Sequence, residues 1–490
     1  MCEKIFFPLG GSAGDNCGLA SGGRDNLSMD VSVIFATHNR ADILNDVFNA
    51  WRAVDRATVY SYEIICSDDE STDETVDIIK SIRDLPVRLI ENKKGGAARA
   101  RNAALRIALG KLVIFTGDDI FPCEDFINRH YENYLKYGDQ VATLGRLDWH
   151  KDIPLNHLMK HITEIGCEQF GFIALPAYQL IDFRHFYTSN ISVSSAMLSS
   201  LDSYFNTDFD KYGFEDIEFG YRLQKNGMKI YYDPDILASH HHVYDSVEKF
   251  CRRQISAGEE LVVFSHMHDD LEDKCICDIK NCTDAFKKYA KLTTKSSDRK
   301  GRYILTVVKL AKKYCKLLEK RIKKNSGQLS ETICSTLYAG IFKFSFYYGI
   351  ALRISMENRL PLDNGSLALF AVYYMKKPVY EIYWNTGFGF NENESRKWIC
   401  WDDSETVIEK ALPPGVHEVW IAPLKDYCIA EIYSIEFILE NGSCQSADIS
   451  WHNACNVNGQ IYDFTHTNDP MILVNHLPEH YRTIRVKMKV

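Results

Sequence analysis

Apolar and polar residues alternate along residues 31–120 in blocks that predict strands and helices in turn. Four short apolar runs have the length of strands buried in a parallel sheet. These runs are Val31–Ala36, Tyr62–Cys66, Val87–Ile90 and Leu112–Phe115. Because helical patterns separate them, the order βαβαβαβ predicts a doubly wound parallel sheet.

The segments between the runs carry three kinds of helix signal. In Ala41–Trp51, apolar residues recur at helical spacing. Ser71 and Glu74 have the spacing of a capping box, in which two side chains satisfy backbone N–H groups at the start of a helix. Ala97–Leu109 is rich in alanine, the strongest helix former.

The remainder of the chain changes character twice. Residues 140–240 mix short strands with a helix near Asp216–Lys225, and residues 245–375 have mainly helical patterns. Leu337–Ile354 is apolar, but Lys343 and Arg353 within it favour a buried helix over a membrane span. Alternating β-type runs then dominate and predict an all-β sandwich. Its runs are Val379–Trp384, Glu418–Ile421, Ala430–Leu439 and Thr483–Met488.

These patterns predict four parts of the chain, since 490 residues exceed what one hydrophobic core serves. Residues 1–30, rich in Gly, Ser, Asp and Asn, form a flexible leader. They are followed by an α/β domain at 31–260, a helical region at 261–377 and a β-sandwich module at 378–490.

Composition narrows the function classes. The formal net charge of −9 gives no basic footprint, so we expect no nucleic-acid partner. The 15 cysteines are odd in number and scattered, which favours reduced thiols over a disulfide framework. The first apolar run is too short for a signal peptide. Together these features predict a cytoplasmic protein.

Candidate chemistry lies directly after three of the predicted strands, where open α/β sheets bind ligands. The polar segments are Thr37–Arg40, Ser67–Glu70 and Gly117–Asp119. Two of them contain adjacent carboxylates, which repel unless a cation or hydrogen-bond donors compensate. The G-x-G-x-x-G loop of a dinucleotide fold does not follow the first strand. The pattern indicates a nucleotide and a metal rather than NAD.

Five ordered segments resemble one known family, the inverting family 2 glycosyltransferases with a GT-A fold. The segments are Ser32–Arg40, Ser67–Asp73, Gly95–Asn102, Phe115–Asp119 and Gly213–Arg222. Each segment alone is weakly specific, whereas all five in the family's order are a strong signal. The resemblance covers roughly residues 31–260 and implies an α/β GT-A domain that uses a nucleotide-sugar donor.

The resemblance also implies donor-side roles. Asp69 would bind the nucleotide base in a pocket lined by Thr37 and Asn39, Arg101 would contact the donor, and Asp118 would face the ribose. Asp119 would ligate Mn²⁺ or Mg²⁺ at the diphosphate, since hard cations prefer carboxylate and phosphate oxygens. Thr116 and Gly117 stand where some members carry the first Asp of Asp-x-Asp, so ligation falls to Asp119 rather than Asp118. Among the three histidines that follow a predicted strand, His240 fits the family's histidine that completes the metal site.

On the acceptor side, the resemblance makes Asp216 the catalytic base, with Glu215 and Asn190 nearby. A single displacement needs a carboxylate to take the proton of the acceptor hydroxyl. Three structural alternatives stay open: a helix N-terminal charge for Asp216, a core or solvated histidine for His240, and a turn cap for Asn190.

The expected function is transfer of a sugar from a UDP-, GDP- or dTDP-sugar to a glycan or lipid-linked acceptor in bacterial surface polysaccharide synthesis. The Gln-x-x-Arg-Trp motif of processive members is not evident, which favours one sugar per encounter. Two alternatives remain: a nucleotidyltransferase, although Thr37–Arg40 is not the Gly-rich loop of such enzymes, and a non-catalytic sugar-binding protein.

Three features lie outside the resemblance. His266, His268, Cys275, Cys277 and Cys282 form a weak zinc pattern, because their spacing departs from paired knuckles. The basic, apolar-striped segment 303–324 is either a peripheral membrane or partner contact or a solvated helix face. The aromatic residues of 384–390 and 398–401 either bind glycan or fill the sandwich core.

Overall fold

The structure is a computed structural model of the chain. It describes residues 29–166, 168–209, 211–268, 279–292, 295–324, 328–360, 362–375, 379–387, 395–399, 406–423, 428–467 and 470–489. The predicted leader therefore lies outside the described residues, apart from its last two positions.

A nine-stranded sheet organises the first part of the chain. Its strands are β1 (Val31–Thr37), β2 (Tyr62–Asp69), β3 (Val87–Asn92), β4 (Leu112–Thr116), β5 (Ile120–Pro122), β6 (Val141–Trp149), β7 (Leu180–Ile181), β8 (Asn190–Ser194) and β9 (Lys229–His240). The order is β3-β2-β1-β4-β8-β6-β9-β5, with β7 paired to β9. The strands β1 to β4 are mutually parallel, as the βαβ pattern predicts.

Beyond β4 the sheet is mixed rather than parallel. β8 inserts between β4 and β6 and runs antiparallel to β4, while β6 and β9 are parallel to each other. An antiparallel neighbour needs no helical crossover. The regular strand and helix alternation accordingly ends after residue 120, and the expectation of a doubly wound parallel sheet holds for the first four strands only.

Most helices of this part of the chain cover the faces of the sheet. They are α1 (Leu44–Ala57), α2 (Thr75–Ser81), α3 (Ala97–Leu105), α4 (Phe126–Tyr137), α5 (His157–Lys160), α6 (Ser195–Ser199) and α7 (Glu215–Lys225). The apolar positions that predicted α1 are its buried face, with Trp51 fully enclosed against Phe126. The predicted helix to Leu109 ends earlier, at Leu105, and Leu109 is exposed.

Five longer elements build the helical region. They are α8 (Val247–Met267), α9 (Ile279–Leu292), α10 (Lys295–Lys324), α11 (Gln328–Glu357) and α12 (Asn364–Met375). Position 260, expected as a domain limit, lies inside α8. The predicted buried helix Leu337–Ile354 lies within α11, with Phe342 and Ile350 enclosed. Among the described residues, no helix combines the length and the apolar content that a membrane crossing requires.

Two antiparallel sheets follow. Their strands are β10 (Val379–Asn385), β11 (Ser395–Ile399), β12 (Thr406–Ala411), β13 (Glu418–Ala422), β14 (Ile429–Leu439), β15 (Cys444–Ser446), β16 (Trp451–His452), β17 (Asn456–Asn458), β18 (Ile461–Asp463), β19 (Ile472–Val474) and β20 (Tyr481–Lys489). One sheet has the order β11-β10-β13-β19-β16 and the other β12-β20-β14-β18-β17, with β15 on β14. Alternate residues of both sheets share one core, which makes a β-sandwich.

Trp384 decides between two interpretations of the sandwich aromatics. It is 5% exposed and packs in the shared core, which favours the core alternative at this position. Residues 388–394 and 400–405, which include Trp401, lie outside the described residues.

Candidate active site

The carboxyl ends of three parallel strands meet at one edge of the nine-stranded sheet. β1 lies between β2 and β4, and Thr37 at its end pairs with Asp68. The segments that follow these strands therefore border one cleft. This is the convergence that the sequence predicts for its three polar clusters.

Asp69 is buried and holds the backbone of the next segment. Its two carboxylate oxygens accept hydrogen bonds from the N–H groups of Gly95 (2.7 Å) and Gly96 (2.9 Å). Gly96 has φ +84°, a left-handed conformation that favours glycine. The Gly-Gly pair before α3 is thereby fixed at the cleft, and Asp69 keeps free lone pairs for a further donor.

The loop after β1 is tied to the loop after β2. The Asn39 side chain accepts from the Thr72 N–H at 2.8 Å, and the Asn39 N–H donates to the Ser71 hydroxyl at 2.8 Å. Asn39 has φ +52°, a conformation that asparagine tolerates better than most residues. Its side chain is exposed, whereas Thr37 is buried at the strand end.

Arg40 bridges the two adjacent carboxylates that end the β4 segment. Its Nε lies 3.1 Å from Asp118 Oδ1 and its Nη2 lies 3.2 Å from Asp119 Oδ2. Burial raises the pKa of Asp118 to about 6, and Arg40 opposes this rise. Arg40 is thus the cation that keeps this carboxylate pair together, a role that the sequence did not single out within the Thr37–Arg40 cluster.

Asp119 also faces two histidines from the end of β9. His240 Nε2 lies 3.3 Å and His242 Nδ1 3.9 Å from Asp119 Oδ2. β5 pairs with β9 so that Ile120 lies opposite His240, and this register sets the contact. Burial alone raises the pKa of Asp119, but His240 and Arg40 outweigh it and lower the pKa.

These three side chains form a candidate metal centre. One ligand atom each from Asp119, His240 and His242 lie within 4.8 Å of one another. A carboxylate with two imidazoles is a donor set that suits Mn²⁺ and related divalent ions. The His240 Nδ1 atom is buried with no hydrogen-bond partner in the described part of the chain. The residues present therefore fit a divalent cation. His242 joins Asp119 and His240, the two metal ligands expected from the sequence.

A cavity of about 780 Å³ opens beside this centre. Asp119 and His240 line one end, and Asp216 at the start of α7 lines the wall. Gly213 (φ +110°) and Phe214 (φ +68°) turn the chain just before α7. Glycine adopts a positive φ freely, whereas the left-handed conformation is costly for Phe214, and such strain is common at functional sites. The turn places the first carboxylates of α7 in the cavity.

Asp216 and Glu215 differ in their partners. Arg101 Nη1 lies 3.4 Å from Glu215 Oε1, while Asp216 Oδ1 accepts from the Ile217 N–H at 2.9 Å. Burial, and then the charge of Glu215, raise the pKa of Asp216 to about 7, against the opposing charge of Arg101. Asp216 is therefore a carboxylate with the proton affinity of a general base near neutral pH.

The helical region supplies the opposite wall, which the sequence did not predict. Arg253 of α8 lines the cavity together with Phe342, Lys343 and Phe346 of α11. The Arg253 guanidinium stacks 3.5 Å above the Tyr212 ring and donates to Gln169 at 3.1 Å. No sequence motif marks these residues, because they reach the site only through helix packing.

Comparison with known proteins identifies the sheet domain. Residues 32–202 match the family described as Glycosyl transferase family 2. Residues 32–202 belong to glycosyltransferase family 2. This agrees with the resemblance, and four of its five sequence segments lie within the matched residues.

Individual relatives match part of this chain. A dolichyl N-acetyl-alpha-D-glucosaminyl phosphate 3-beta-D-2,3-diacetamido-2,3-dideoxy-beta-D-glucuronosyltransferase of Methanococcus voltae is 26% identical over 46% of this chain and 71% of its own length. The poly(ribitol-phosphate) beta-N-acetylglucosaminyltransferase TarS of Staphylococcus aureus is 31% identical over 36% of this chain and 30% of its own length. A validoxylamine A glucosyltransferase of Streptomyces hygroscopicus is matched over 52% of its length at 27% identity.

The crystal structure of S. aureus TarS aligns with 91% of this chain and 72% of that chain, at 14% identity and a TM-score of 0.37. In the sequence comparisons, the matched segment spans about half the length of the validoxylamine A glucosyltransferase and less than a third of the length of TarS.

Asn190 lies away from the cavity of this glycosyltransferase domain. It is fully buried at the start of β8, where its Oδ1 lies 3.0 Å from His130 Nε2. Its Nδ2 donates to the carbonyls of Arg146 and Ile236, each at 3.0 Å. With its hydrogen-bonding groups engaged inside the sheet, Asn190 braces β8 against β6 and β9 and presents nothing to an acceptor.

The histidines of the weak zinc pattern have carboxylate partners. His266 Nδ1 lies 3.2 Å from Glu357, and His268 Nε2 lies 2.9 Å from Glu218. Cys275 and Cys277 lie outside the described residues, and Cys282 is buried in α9. In the part of the chain that the structure describes, Asp119, His240 and His242 are the one group with metal-ligand geometry.

Proposed function

We propose that the chain transfers a sugar from a nucleoside diphosphate sugar to a hydroxyl of a glycan or glycoconjugate, with inversion at the anomeric carbon. One observation carries the proposal: the candidate metal centre and Asp216 line the same cavity. A diphosphate held at the first would place its sugar between the two. The family match favours sugar transfer over nucleotidyl transfer.

On the donor side, Asp119, His240 and His242 would hold Mn²⁺ or Mg²⁺, which neutralises charge on the diphosphate leaving group. Arg40 adds a second positive charge beside Asp119. The nucleoside would occupy the cleft bordered by the β1 and β2 loops. The residues proposed to contact it are Thr37, Asn39, Asp69, Arg101 and Asp118.

On the acceptor side, Asp216 acts as the general base. Its carboxylate takes the proton of the acceptor hydroxyl while the hydroxyl oxygen forms a bond to the anomeric carbon. The bond from that carbon to the diphosphate oxygen breaks, and the electron pair leaves with the nucleoside diphosphate. Attack opposite to the leaving group inverts the configuration. Glu215 stays paired with Arg101 beside the base.

The acceptor end of the cavity is aromatic and basic, which suits a glycan with an anionic or lipid-linked part. Phe346 and Tyr347 offer aromatic faces on which sugar rings stack, and Arg253 and Lys343 offer positive charge. Two relatives are named as enzymes that act on a dolichyl phosphate-linked sugar and on poly(ribitol phosphate). We accordingly place the reaction in surface polysaccharide or related glycoconjugate synthesis.

A thermal-shift panel tests the donor half of the proposal. UDP, GDP and dTDP are each added with Mn²⁺, with Mg²⁺ and with EDTA, because a ligand that binds only the folded state raises its melting temperature. We expect one nucleotide to raise the melting temperature in the presence of metal only. The absence of a metal-dependent shift with all three nucleotides contradicts the proposal.

The sugar donors of that nucleotide then test catalysis. Slow donor hydrolysis that needs both metal and Asp216 is expected, and transfer to an acceptor gives a product of inverted configuration in proton NMR. Retained configuration excludes the single displacement. Tight binding without hydrolysis or transfer indicates a non-catalytic sugar-binding protein, and release of pyrophosphate from a nucleoside triphosphate indicates nucleotidyl transfer.

A further inference from the structure

The outer face of α10 carries a stripe of large apolar side chains in contact with solvent. Their exposed fractions are 71% for Tyr303, 44% for Val307, 60% for Leu310, 49% for Tyr314 and 62% for Leu317. The spacings of four and three residues alternate, so the five side chains lie along one side of the helix. We call these five residues the α10 stripe.

The helix that carries the stripe is anchored along a different face. Cys315 and Leu318 are buried in one core cluster, and Ile304 and Leu305 pack against another. These contacts join α10 to α11 and α12. The stripe is therefore held outward by a packed helix, and its exposure is not the fraying of a loose end.

Positive charge borders the stripe. The exposed basic residues beside it are Lys309, Lys313, Lys316, Lys320 and Arg321. Among the described residues, none of these five has a carboxylate within ion-pair distance. Glu319 is the single acid between residues 299 and 323, and it contacts the Tyr338 hydroxyl on the inner side. The outer face is thus apolar and cationic, although the whole chain carries a formal charge of −9.

Two partners suit an apolar stripe with this spacing: a second copy of the helix or a lipid surface. The spacing is that of a coiled-coil seam. Self-pairing, however, would set the lysines of one copy beside those of the other without acids to pair with them, and like charges at such positions oppose association. An anionic surface complements the same lysines, and apolar side chains insert below its headgroups.

We propose that α10 binds peripherally to anionic membranes, with the α10 stripe inserted at the headgroup boundary and the flanking lysines on the lipid charges. α11, which packs on the inner side of α10, also lines the cavity with Phe342, Lys343 and Phe346. The membrane would then lie one helix away from the acceptor end. The binding itself does not depend on the proposed transfer reaction.

Vesicle co-sedimentation of the full chain tests the proposal. Vesicles of phosphatidylcholine alone are compared with vesicles containing about one third phosphatidylglycerol, at low and high salt. We expect sedimentation with the anionic vesicles, weakened by salt. The variants Leu310→Glu/Leu317→Glu and Lys313→Glu/Lys316→Glu should each bind roughly tenfold or more weakly.

Matched variants elsewhere on the surface serve as controls. Val59→Glu/Leu109→Glu replaces two exposed apolar residues of the sheet domain, and Lys136→Glu/Lys229→Glu makes the same change in net charge as the lysine pair. Both should bind as the wild type does. Leu310→Ser, a milder change at an exposed position, keeps the test decisive if a Glu variant misfolds by circular dichroism.

Three results would overturn the proposal. The first is equal binding to neutral and anionic vesicles, and the second is no binding to either. The third is a wild-type dimer in analytical ultracentrifugation that Leu310→Glu/Leu317→Glu converts to a monomer, which would assign the stripe to self-association.

Discussion

At the scale of single residues, the candidate metal centre combines one carboxylate with two imidazoles. Burial, and then the neighbouring His240, lower the pKa of His242 to about 4. His242 is therefore neutral at pH 7, the form that binds a metal ion. His240 and His242 share one side of the extended chain because they are two residues apart, whereas His241 points to the other side and packs on Phe121 and His150.

The proposed ligand set predicts unequal effects of substitutions at Asp119, His241 and His242 on metal binding. Asp119→Asn should abolish the Mn²⁺-dependent part of nucleoside diphosphate binding. His242→Ala should weaken Mn²⁺ binding about 10- to 100-fold or more, by comparison with losses on mutation around other metal sites. His241→Ala, the matched control, should leave it unchanged. Isothermal titration with Mn²⁺ and the nucleotide measures all three. Equal losses in the His241→Ala and His242→Ala proteins would contradict the assigned ligand set.

The raised pKa of Asp216 predicts the pH dependence of the reaction. A base accepts a proton only when ionised, so kcat/KM should rise with pH through about 7 and then level off. Asp216→Asn should reduce turnover on the order of 10²-fold or more and remove this rise, while metal-dependent nucleotide binding persists. Asp202→Asn, at an exposed position, is the control. If kcat/KM of the Asp216→Asn protein still rises with pH through about 7, another group controls the pH dependence.

The same pKa predicts a cost in stability. An unfolded Asp titrates near 3.8, so between about pH 4 and pH 7 the folded protein keeps a proton that the unfolded chain has released. Stability contributed by this group is therefore present at low pH and lost as pH rises through 7. Asp216→Asn never ionises, so its melting temperature should exceed that of the wild type at pH 8 and approach it at pH 4. Calorimetry of both proteins at pH 4 and pH 8 measures this difference. A melting temperature of the Asp216→Asn protein below that of the wild type at pH 8 would contradict the raised pKa.

At the scale of elements, two glycines control how closely α8 and α11 approach. A Cβ at Gly258 would lie 2.0 Å from the Phe346 carbonyl oxygen, and a Cβ at Gly349 would lie 2.0 Å from the Ile255 carbonyl oxygen. Both contacts are with backbone atoms, which cannot rotate away. The two helices therefore cross at a distance that only glycine permits, and this crossing positions the Phe342, Lys343 and Phe346 side of the cavity.

Alanine substitutions test this crossing. Gly258→Ala or Gly349→Ala should lower the free energy of unfolding by roughly 1–3 kcal/mol, as overpacking does, and should raise the acceptor KM because the cavity wall shifts. Gly340→Ala is the matched control in the same α11 helix, since nothing lies within 4 Å of its Cβ position. It should be neutral or stabilising by up to about 1 kcal/mol. Urea denaturation of the three variants provides the comparison, and equal losses would contradict the steric argument.

Patterns in the local sequence were enough to predict the first strands and helices of the sheet domain. Short apolar runs and helical patterns located β1 to β4 and α1 to α3, and the strand ends located Asp69, Asp118 and Asp119. The antiparallel insertion of β8 followed no local pattern, because strand order depends on long-range pairing. The same holds for Arg253 and Lys343, which α8 and α11 bring to the cavity from outside the family segments. Asn190 shows the converse: a polar residue in a family-like segment is engaged entirely inside the sheet.

At the scale of the whole molecule, the three parts present different surfaces for different contacts. The sheet domain and the helical region share the cavity, since α8 and α11 complete its wall. The helical region adds the α10 stripe on its outer side. The sandwich keeps its alternating aliphatic and aromatic residues inside. It also carries aromatic residues on its outer surface, and these are the residues to test for acceptor binding.

One row of residues crosses the outer face of the five-stranded sheet. Strand register places Tyr383 beside Trp420, Trp420 beside Leu473, and Leu473 beside Trp451. The Trp420 and Trp451 ring centroids lie 5.4 Å apart, and Trp451 is 47% exposed. Adjacent, partly exposed indole rings offer a surface on which sugar rings stack, whereas the core residue Trp384 does not.

If the sandwich orients a glycan acceptor, Trp451→Ala should raise the acceptor KM several-fold and leave metal-dependent donor hydrolysis intact, because the donor site lies in the sheet domain. Ile429→Ala, a change of a similarly exposed apolar residue on the six-stranded sheet, should alter neither quantity. Trp384→Ala should instead destabilise the sandwich by about 3–5 kcal/mol, as loss of a core aromatic does, and is not informative about binding. Steady-state kinetics with a soluble glycan acceptor measures the effect. An unchanged acceptor KM in a folded Trp451→Ala protein would assign the outer aromatic row to assembly rather than to the acceptor.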